Sequence, residues 1–175
     1  MKTLITLLIF LVAPAVFAQS PQENHSTLST KAIEAYTLKA ESKVTELYSY
    51  LELLTDPKGN KEMKQQAADA ATKLFIANAT GDNIFEPKTA GVPVKSVLES
   101  AEEQVKKHSF KVQNFTSVVI METPLKKEWQ VSYQLLMNGM TFNINQSFYI
   151  VSESKQFGKT TKTVWNTYLG AIKFR

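Results

Sequence analysis

The feature that most constrains this chain is the dipeptide Asn138-Gly139, which lies between two stretches of alternating apolar and polar residues. Asn-Gly favours a two-residue type I′ turn, because both positions of that turn need a positive φ. A shift of one residue in strand register would turn every flanking side chain to the other face. The sequence therefore predicts a β-hairpin whose packed face is apolar except for one glutamine. The pairs on that face are Met137 with Met140, Leu135 with Phe142, Tyr133 with Ile144, Val131 with Gln146, and Trp129 with Phe148.

The rest of the chain divides into a helical half and a strand half. Apolar residues recur at three- and four-residue steps before residue 106, and strand-like segments follow His108. The predicted elements are helices over Thr30–Leu54, Met63–Phe75 and Pro93–Val105, a short strand at Ile84–Glu86, and strands at Phe110–Glu122, Glu128–Asn138, Met140–Ser152 and Thr160–Phe174. This order predicts an α+β domain, with three N-terminal helices packed on a curved antiparallel sheet of four to five strands. One domain is expected to span residues 30–175.

The first 18 residues have the three parts of a secretory signal peptide. Lys2 supplies the positive charge, Leu4–Val12 is the apolar core, and Val16-Phe17-Ala18 favours cleavage before Gln19. The apolar run is shorter than the roughly 20 residues that span a membrane, although an uncleaved N-terminal anchor is the alternative. Residues 19–29 are polar and without periodicity, which predicts a flexible leader. We expect a periplasmic or extracellular protein without a membrane span.

Composition excludes several kinds of site. The chain has no cysteine, so disulfides and thiolate metal sites cannot form. Arg175 is the only arginine, and specific base recognition depends largely on arginine. Two distant histidines, His25 and His108, do not make a zinc site. His108 is expected at the C-terminus of a helix, where a favourable interaction with the helix dipole explains it without a further role. We therefore expect no metal, no cofactor and no specific nucleic-acid partner.

Charge also separates along the chain. Residues 19–105 hold nine lysines and thirteen acidic residues, whereas residues 106–175 hold ten basic and three acidic residues. A basic sheet half suits an acidic partner, such as an anionic envelope polymer or a protein. The alternative is a solubilising surface, with lysines that protect exposed strand edges.

The order of elements resembles the cone-shaped, cystatin-like fold of the nuclear-transport-factor-2-like superfamily, and in particular its exported bacterial members of unknown function. The segments that carry the resemblance are Tyr50-Leu51-Glu52-Leu53-Leu54, Ala67–Phe75 and Gln146-Ser147-Phe148. The resemblance implies a cavity between the sheet and the helices, and sheet-to-sheet homodimers. Enzymes of the superfamily use an aspartate or an Asp/His pair there. No aspartate or histidine occurs in residues 109–175, so no catalytic residue is assigned.

Gln146 is the most informative residue of the predicted apolar face, because a buried amide must find hydrogen-bond partners. One interpretation makes it a ligand-orienting group that lines the cavity together with Tyr133, Asn166 and Tyr168. The other gives it an internal hydrogen bond to the backbone or to a tyrosine.

Two functions follow from these alternatives. The first is a non-catalytic exported domain that binds a protein partner or a small apolar ligand. The second is an isomerase- or hydrolase-like enzyme, which requires a glutamate or His108 within reach of the tyrosines inside a cavity.

Overall fold

The computed structural model describes residues 28–175, so the predicted signal peptide and most of the predicted leader lie outside the described residues. The helices are α1 (Thr30–Leu54), α2 (Lys61–Lys73) and α3 (Val94–Glu102). The strands are β1 (Thr80–Gly81), β2 (Val92–Pro93), β3 (Phe110–Glu122), β4 (Lys126–Met137), β5 (Met140–Phe157) and β6 (Thr160–Phe174). The α+β class and the number of helices are as predicted, but α2 ends at Lys73, two residues before the predicted end at Phe75.

Local sequence explains where the first two helices begin. Ser29 caps α1 by accepting a hydrogen bond from the Ala32 amide at 3.2 Å, and Asn60 caps α2 by accepting one from the Met63 amide at 2.7 Å. These oxygens satisfy amides that have no partner within the helix. Helix α3 begins directly after Pro93, the residue at its N-cap. It ends at Glu102, so the prediction that Val105 belongs to its apolar stripe is wrong, and Val105 is 91% exposed.

The hairpin around Asn138-Gly139 has the predicted register at every position. All five apolar-face pairs are opposite one another in the sheet, from Met137 with Met140 to Trp129 with Phe148. Asn138 has a φ of 50° and Gly139 a φ of 85°, the positive values that a type I′ turn needs. The turn residues and the alternation of the strands therefore specify the same pairing.

The sheet is larger and less regular than predicted. Its six strands in the described chain run in the order β2-β1-β6-β5-β4-β3, and β1 is parallel to β6, so the sheet is mixed rather than antiparallel. The predicted strand at Ile84–Glu86 is a turn, and the short strands lie on either side of it. Periodicity cannot find two-residue strands, because they depend on pairing with each other and, for β1, with the distant β6.

The helices cover one face of the sheet, which we call the interior face, and leave the outer face to solvent. The interior side chains of α1 pack on aromatic residues of the strands, with Tyr36 5.6 Å from Trp129 and Tyr48 6.1 Å from Tyr133 between ring centroids. Small residues in α2, Ala67 and Ala71, are buried in the same core. Apolar packing on this face accounts for the stability of a domain that has no disulfide.

Candidate functional site

A chain of hydrogen bonds crosses the core where the sequence places Gln146. The Tyr133 hydroxyl donates to Gln146 Oε1 at 2.9 Å, and it lies 3.0 Å from the Tyr48 hydroxyl of α1. Gln146 Nε2 makes a long contact of 3.5 Å with the Gly170 carbonyl. Since the Tyr133 proton is directed at Gln146, Tyr48 is the donor to Tyr133. The chain thus joins α1 to β4, β5 and β6.

The surroundings of this hydrogen-bond chain are closely packed. Gln146 is 1% exposed, and burial raises the pKa of Tyr48 and of Tyr133 well above the ordinary value, so both phenols stay protonated. The cavity between the helices and β6 has a volume of about 10 Å³, room for no more than one water molecule. Gln146 and Tyr133 therefore make the internal hydrogen bonds that were the structural alternative in the sequence analysis.

Asn166 and Tyr168 do not join this chain, which corrects their predicted place in the cavity. Successive residues of a strand point to opposite faces, and in β6 it is Thr167 and Leu169 that are buried on the interior face. Asn166 and Tyr168 lie on the outer face, where both donate a hydrogen bond to the carboxylate of Glu153, Tyr168 at 2.6 Å. Polarity alone does not determine which face of the sheet a side chain occupies, so the sequence did not place Asn166 and Tyr168 on the outer face.

The Glu153 cluster also bears on the enzyme interpretation, which required a glutamate near a tyrosine inside a cavity. Glu153 meets Tyr168, but on the outer face of the sheet. The two hydrogen bonds, that from Tyr168 first, lower the pKa of the Glu153 carboxyl below its ordinary value. A carboxylate stabilised in this way is a weaker base, and its two donors already occupy it.

His108 lies in the loop before β3, not at the end of α3 as predicted. Its ring is buried between Phe85 and Phe110, and Nδ1 accepts a hydrogen bond from Asn138 Nδ2 at 3.0 Å. Nε2 finds no hydrogen-bond partner among the described residues. Burial, with a smaller contribution from the charge of Lys106, holds the histidine pKa below its ordinary value. His108 is far along the sheet from the Glu153 cluster, since its partner Asn138 is in the β4–β5 turn, whereas Glu153 lies near the distal end of β5.

The outer face of the sheet carries open, polar depressions, and a separate depression of about 600 Å³ lies between α2 and α3. Two adjoining depressions of about 380 and 260 Å³ cross strands β3 to β6. We call them together the polar groove. Its outward polar side chains are Asn114, Thr116, Gln130, Ser132, Gln134, Asn143, Asn145, Ser147, Lys173 and Arg175, and Ala171 lines it as well.

Strand pairing arranges the groove in rows. Ser132 lies opposite Asn145, which lies opposite Lys173, and Gln134 lies opposite Asn143. The Ser132 hydroxyl donates to Asn145 Oδ1 at 2.8 Å, and Asn114 Nδ2 donates to Gln134 Oε1 at 2.7 Å. The hairpin register predicts the pairing of Gln134 with Asn143, but it did not indicate a binding site on the outer face. The alternation of uncharged polar residues on the outward positions of β4 and β5 was the available signal.

The described residues contain no group of three or more His, Cys, Asp or Glu side chains arranged to hold a metal ion. Within residues 28–175, none of the helices has the length and apolar character that a membrane crossing requires.

Comparisons with known proteins give a likeness of structure alone. No family model and no curated protein matches the chain. A solved structure of a proposed scytalone dehydratase from Novosphingobium aromaticivorans is similar at 8% sequence identity and a TM-score of 0.43, over 84% of this chain and 89% of that chain.

Proposed function

We propose that this protein is an exported, non-catalytic domain that binds a partner of the cell envelope through the polar groove. The observation that carries the proposal is the contrast between the two faces of the sheet. The interior face is filled, with a cavity of about 10 Å³, whereas the outer face carries the open depressions of about 380 and 260 Å³.

The filled interior argues against a small apolar ligand between the sheet and the helices. A drug-sized ligand needs a pocket of roughly 300 Å³ or more. The aromatic side chains that would have to move are among the most buried in the described chain, with Trp129 at 1% and Phe148 at 0% exposure. Of the two expected ligand classes, the structure supports a macromolecular partner on the outer face.

Export completes the proposal. We expect cleavage after Ala18 and a mature chain that starts at Gln19 in the periplasm or outside the cell. Mass spectrometry of the purified exported protein tests this part, and detection of an intact Met1 would contradict it.

A matched pair of variants tests the groove. Asn143 and Gln156 are both exposed amides on β5, but Asn143 lines the groove and Gln156 lies near the distal end of the strand. A tagged wild-type protein is purified from the envelope fraction beside Asn143→Trp and Gln156→Trp. We expect the wild type and Gln156→Trp to retain the same bound partner and Asn143→Trp to lose it.

Two results would overturn the proposal. One is recovery of the same partner by all three proteins, which would place the binding surface elsewhere. The other is a partner-free wild type that forms a homodimer through the outer face, as measured by light scattering after size-exclusion chromatography. Homodimer interfaces are richer in apolar area than the polar groove.

A further inference from the structure

We propose that the polar groove binds a carboxylated polysaccharide, a chain that presents hydroxyl groups together with carboxylates; this inference rests on the proposed function. Four properties of the groove support this inference: its free hydrogen-bonding groups, the charge of its side chains, its shape, and its lack of apolar anchors.

The internal hydrogen bonds of the groove leave mainly donors free. Asn145 and Gln134 use their carbonyl oxygens to accept from Ser132 and Asn114, so the NH₂ groups of both amides remain for a ligand. The side chain of Asn143, in the same depression as Gln134, makes no hydrogen bond to a described residue. A surface of amide donors recognises acceptors, such as carboxylate, hydroxyl and ring oxygens.

The charged side chains of the groove have one sign. Lys173 and Arg175 line it on the β6 side, and none of its described lining residues is acidic. The glutamates of the outer face, Glu128 and Glu153, lie further along the strands, where Lys126 pairs with Glu128 and Tyr168 donates to Glu153. An anion in the groove therefore meets basic side chains without a facing Asp or Glu side chain.

The shape suits an extended chain. The row Ser132–Asn145–Lys173 crosses β4, β5 and β6, and Thr116 of β3 lies opposite Ser132. Since neighbouring strands are about 4.8 Å apart, a row over four strands is roughly 14 Å long. The row offers hydroxyl and amide groups along its whole length and the basic side chain of Lys173 at one end. This arrangement matches a polymer that alternates hydroxyls and carboxylates.

Other polymers fit less well. Protein interfaces depend on apolar or aromatic anchors near their centre, and single-stranded nucleic acids stack on aromatic rings. The two apolar residues of the larger depression, Tyr133 and Ile144, are buried on the interior face with 3% and 1% exposure. The groove thus offers hydrogen bonds and charge in place of apolar anchors.

Titration calorimetry with defined polymers tests the proposal on the mature chain, residues 19–175. Polygalacturonate oligomers supply both carboxylates and hydroxyls, dextran supplies hydroxyls alone, and polyglutamate supplies carboxylates alone. We expect saturable binding of polygalacturonate, with dextran and polyglutamate each at least tenfold weaker. Equal affinity for polyglutamate would reduce the groove to a charge effect and overturn the proposal.

Matched variants place the binding on the groove. Lys173→Glu and Lys162→Glu make the same charge change on β6, but only Lys173 lines the groove. Asn143→Asp replaces a free amide donor with a carboxylate at nearly constant shape, and Gln156→Glu is its counterpart outside the groove. We expect Lys173→Glu and Asn143→Asp to lower affinity roughly fivefold or more, and both controls to stay within about twofold. Thermal unfolding confirms that all four variants fold.

The outcomes separate this inference from the function on which it rests. Absence of polygalacturonate binding, or an equal loss in Lys173→Glu and Lys162→Glu, overturns the polysaccharide. If a protein is then recovered from the envelope in a manner sensitive to Asn143→Trp, the groove remains a binding site and only its ligand class is wrong. If recovery is insensitive to Asn143→Trp, the proposed function fails as well.

Discussion

Replacement of Tyr133 by phenylalanine tests the role of the interior hydrogen-bond chain. The substitution removes one oxygen and leaves two buried groups without partners, Gln146 Oε1 and the Tyr48 hydroxyl, in residues that are 1% and 3% exposed. Each unsatisfied buried group costs about 1–3 kcal/mol. We expect Tyr133→Phe to lower the free energy of unfolding by about 2–6 kcal/mol.

Tyr48→Phe is the matched comparison, because Tyr48 is at the end of the chain. Tyr133 still donates to Gln146 after this change, so only one hydrogen bond is lost, at about 1 kcal/mol. In the double variant no orphaned Tyr48 hydroxyl remains. Its destabilisation should therefore be smaller than the sum of the single changes by about 1 kcal/mol.

Urea denaturation followed by circular dichroism measures these differences. With a slope of about 2 kcal/mol per molar urea, the Tyr133→Phe midpoint should fall by about 1–3 M at unchanged slope. A Tyr133→Phe variant no less stable than Tyr48→Phe, or strictly additive changes in the double variant, would refute the direction assigned to the chain. A gain in stability would indicate that Tyr133 and Gln146 form a strained ligand site rather than a structural chain.

Three further changes have outcomes that the structure determines. Burial lowers the pKa of His108, so the imidazole of the unfolded chain is protonated before that of the folded chain as the pH falls. Stability should therefore decrease as the pH drops below about 6.5. Thermal melts at pH 7.5 and 5 should show this loss in the wild type and a smaller one in His108→Leu. Gly170→Ala would place a Cβ 2.4 Å from Tyr149 Cε2 and 2.9 Å from Ser147 Cβ. We expect the free energy of unfolding, measured by urea denaturation, to fall by about 1–3 kcal/mol. A decrease below about 0.5 kcal/mol would show that the Tyr149 side chain moves aside freely. Gly139→Ala puts an alanine at a φ of +85°, where its Cβ would have no contact within 4 Å. The expected decrease in the free energy of unfolding, roughly 1 kcal/mol, therefore reflects backbone strain alone. An unchanged melting temperature would argue against the type I′ turn.

The sequence was sufficient wherever the determinants are local. The Asn138-Gly139 turn and the alternation of β4 and β5 specified the hairpin register, and Thr30–Leu54 is an amphipathic helix with the predicted bounds. Strand β6 was different, because its register against β5 shifts between Gln146 and Phe148, which pair with Ile172 and Leu169. An extra residue in one strand at such a bulge changes which side chains share a face, and no local pattern specifies it.

The candidate site could be predicted only in part for the same reason. The pairing of Gln134 with Asn143 follows from the hairpin alone. The basic side of the groove depends on β6, which places Lys173 opposite Asn145. The filled interior could not be predicted either, because cavity volume depends on how α1 packs against the sheet and not on the order of elements.

Photo-crosslinking in living cells shows whether the polar groove contacts the partner. A photoreactive amino acid replaces Asn143 in one strain and Gln156 in another, and the products are compared on denaturing gels after irradiation. We expect a higher-mass adduct from position 143 and none from position 156. Adducts of equal yield at both positions, or an adduct from position 156 alone, would contradict this expectation.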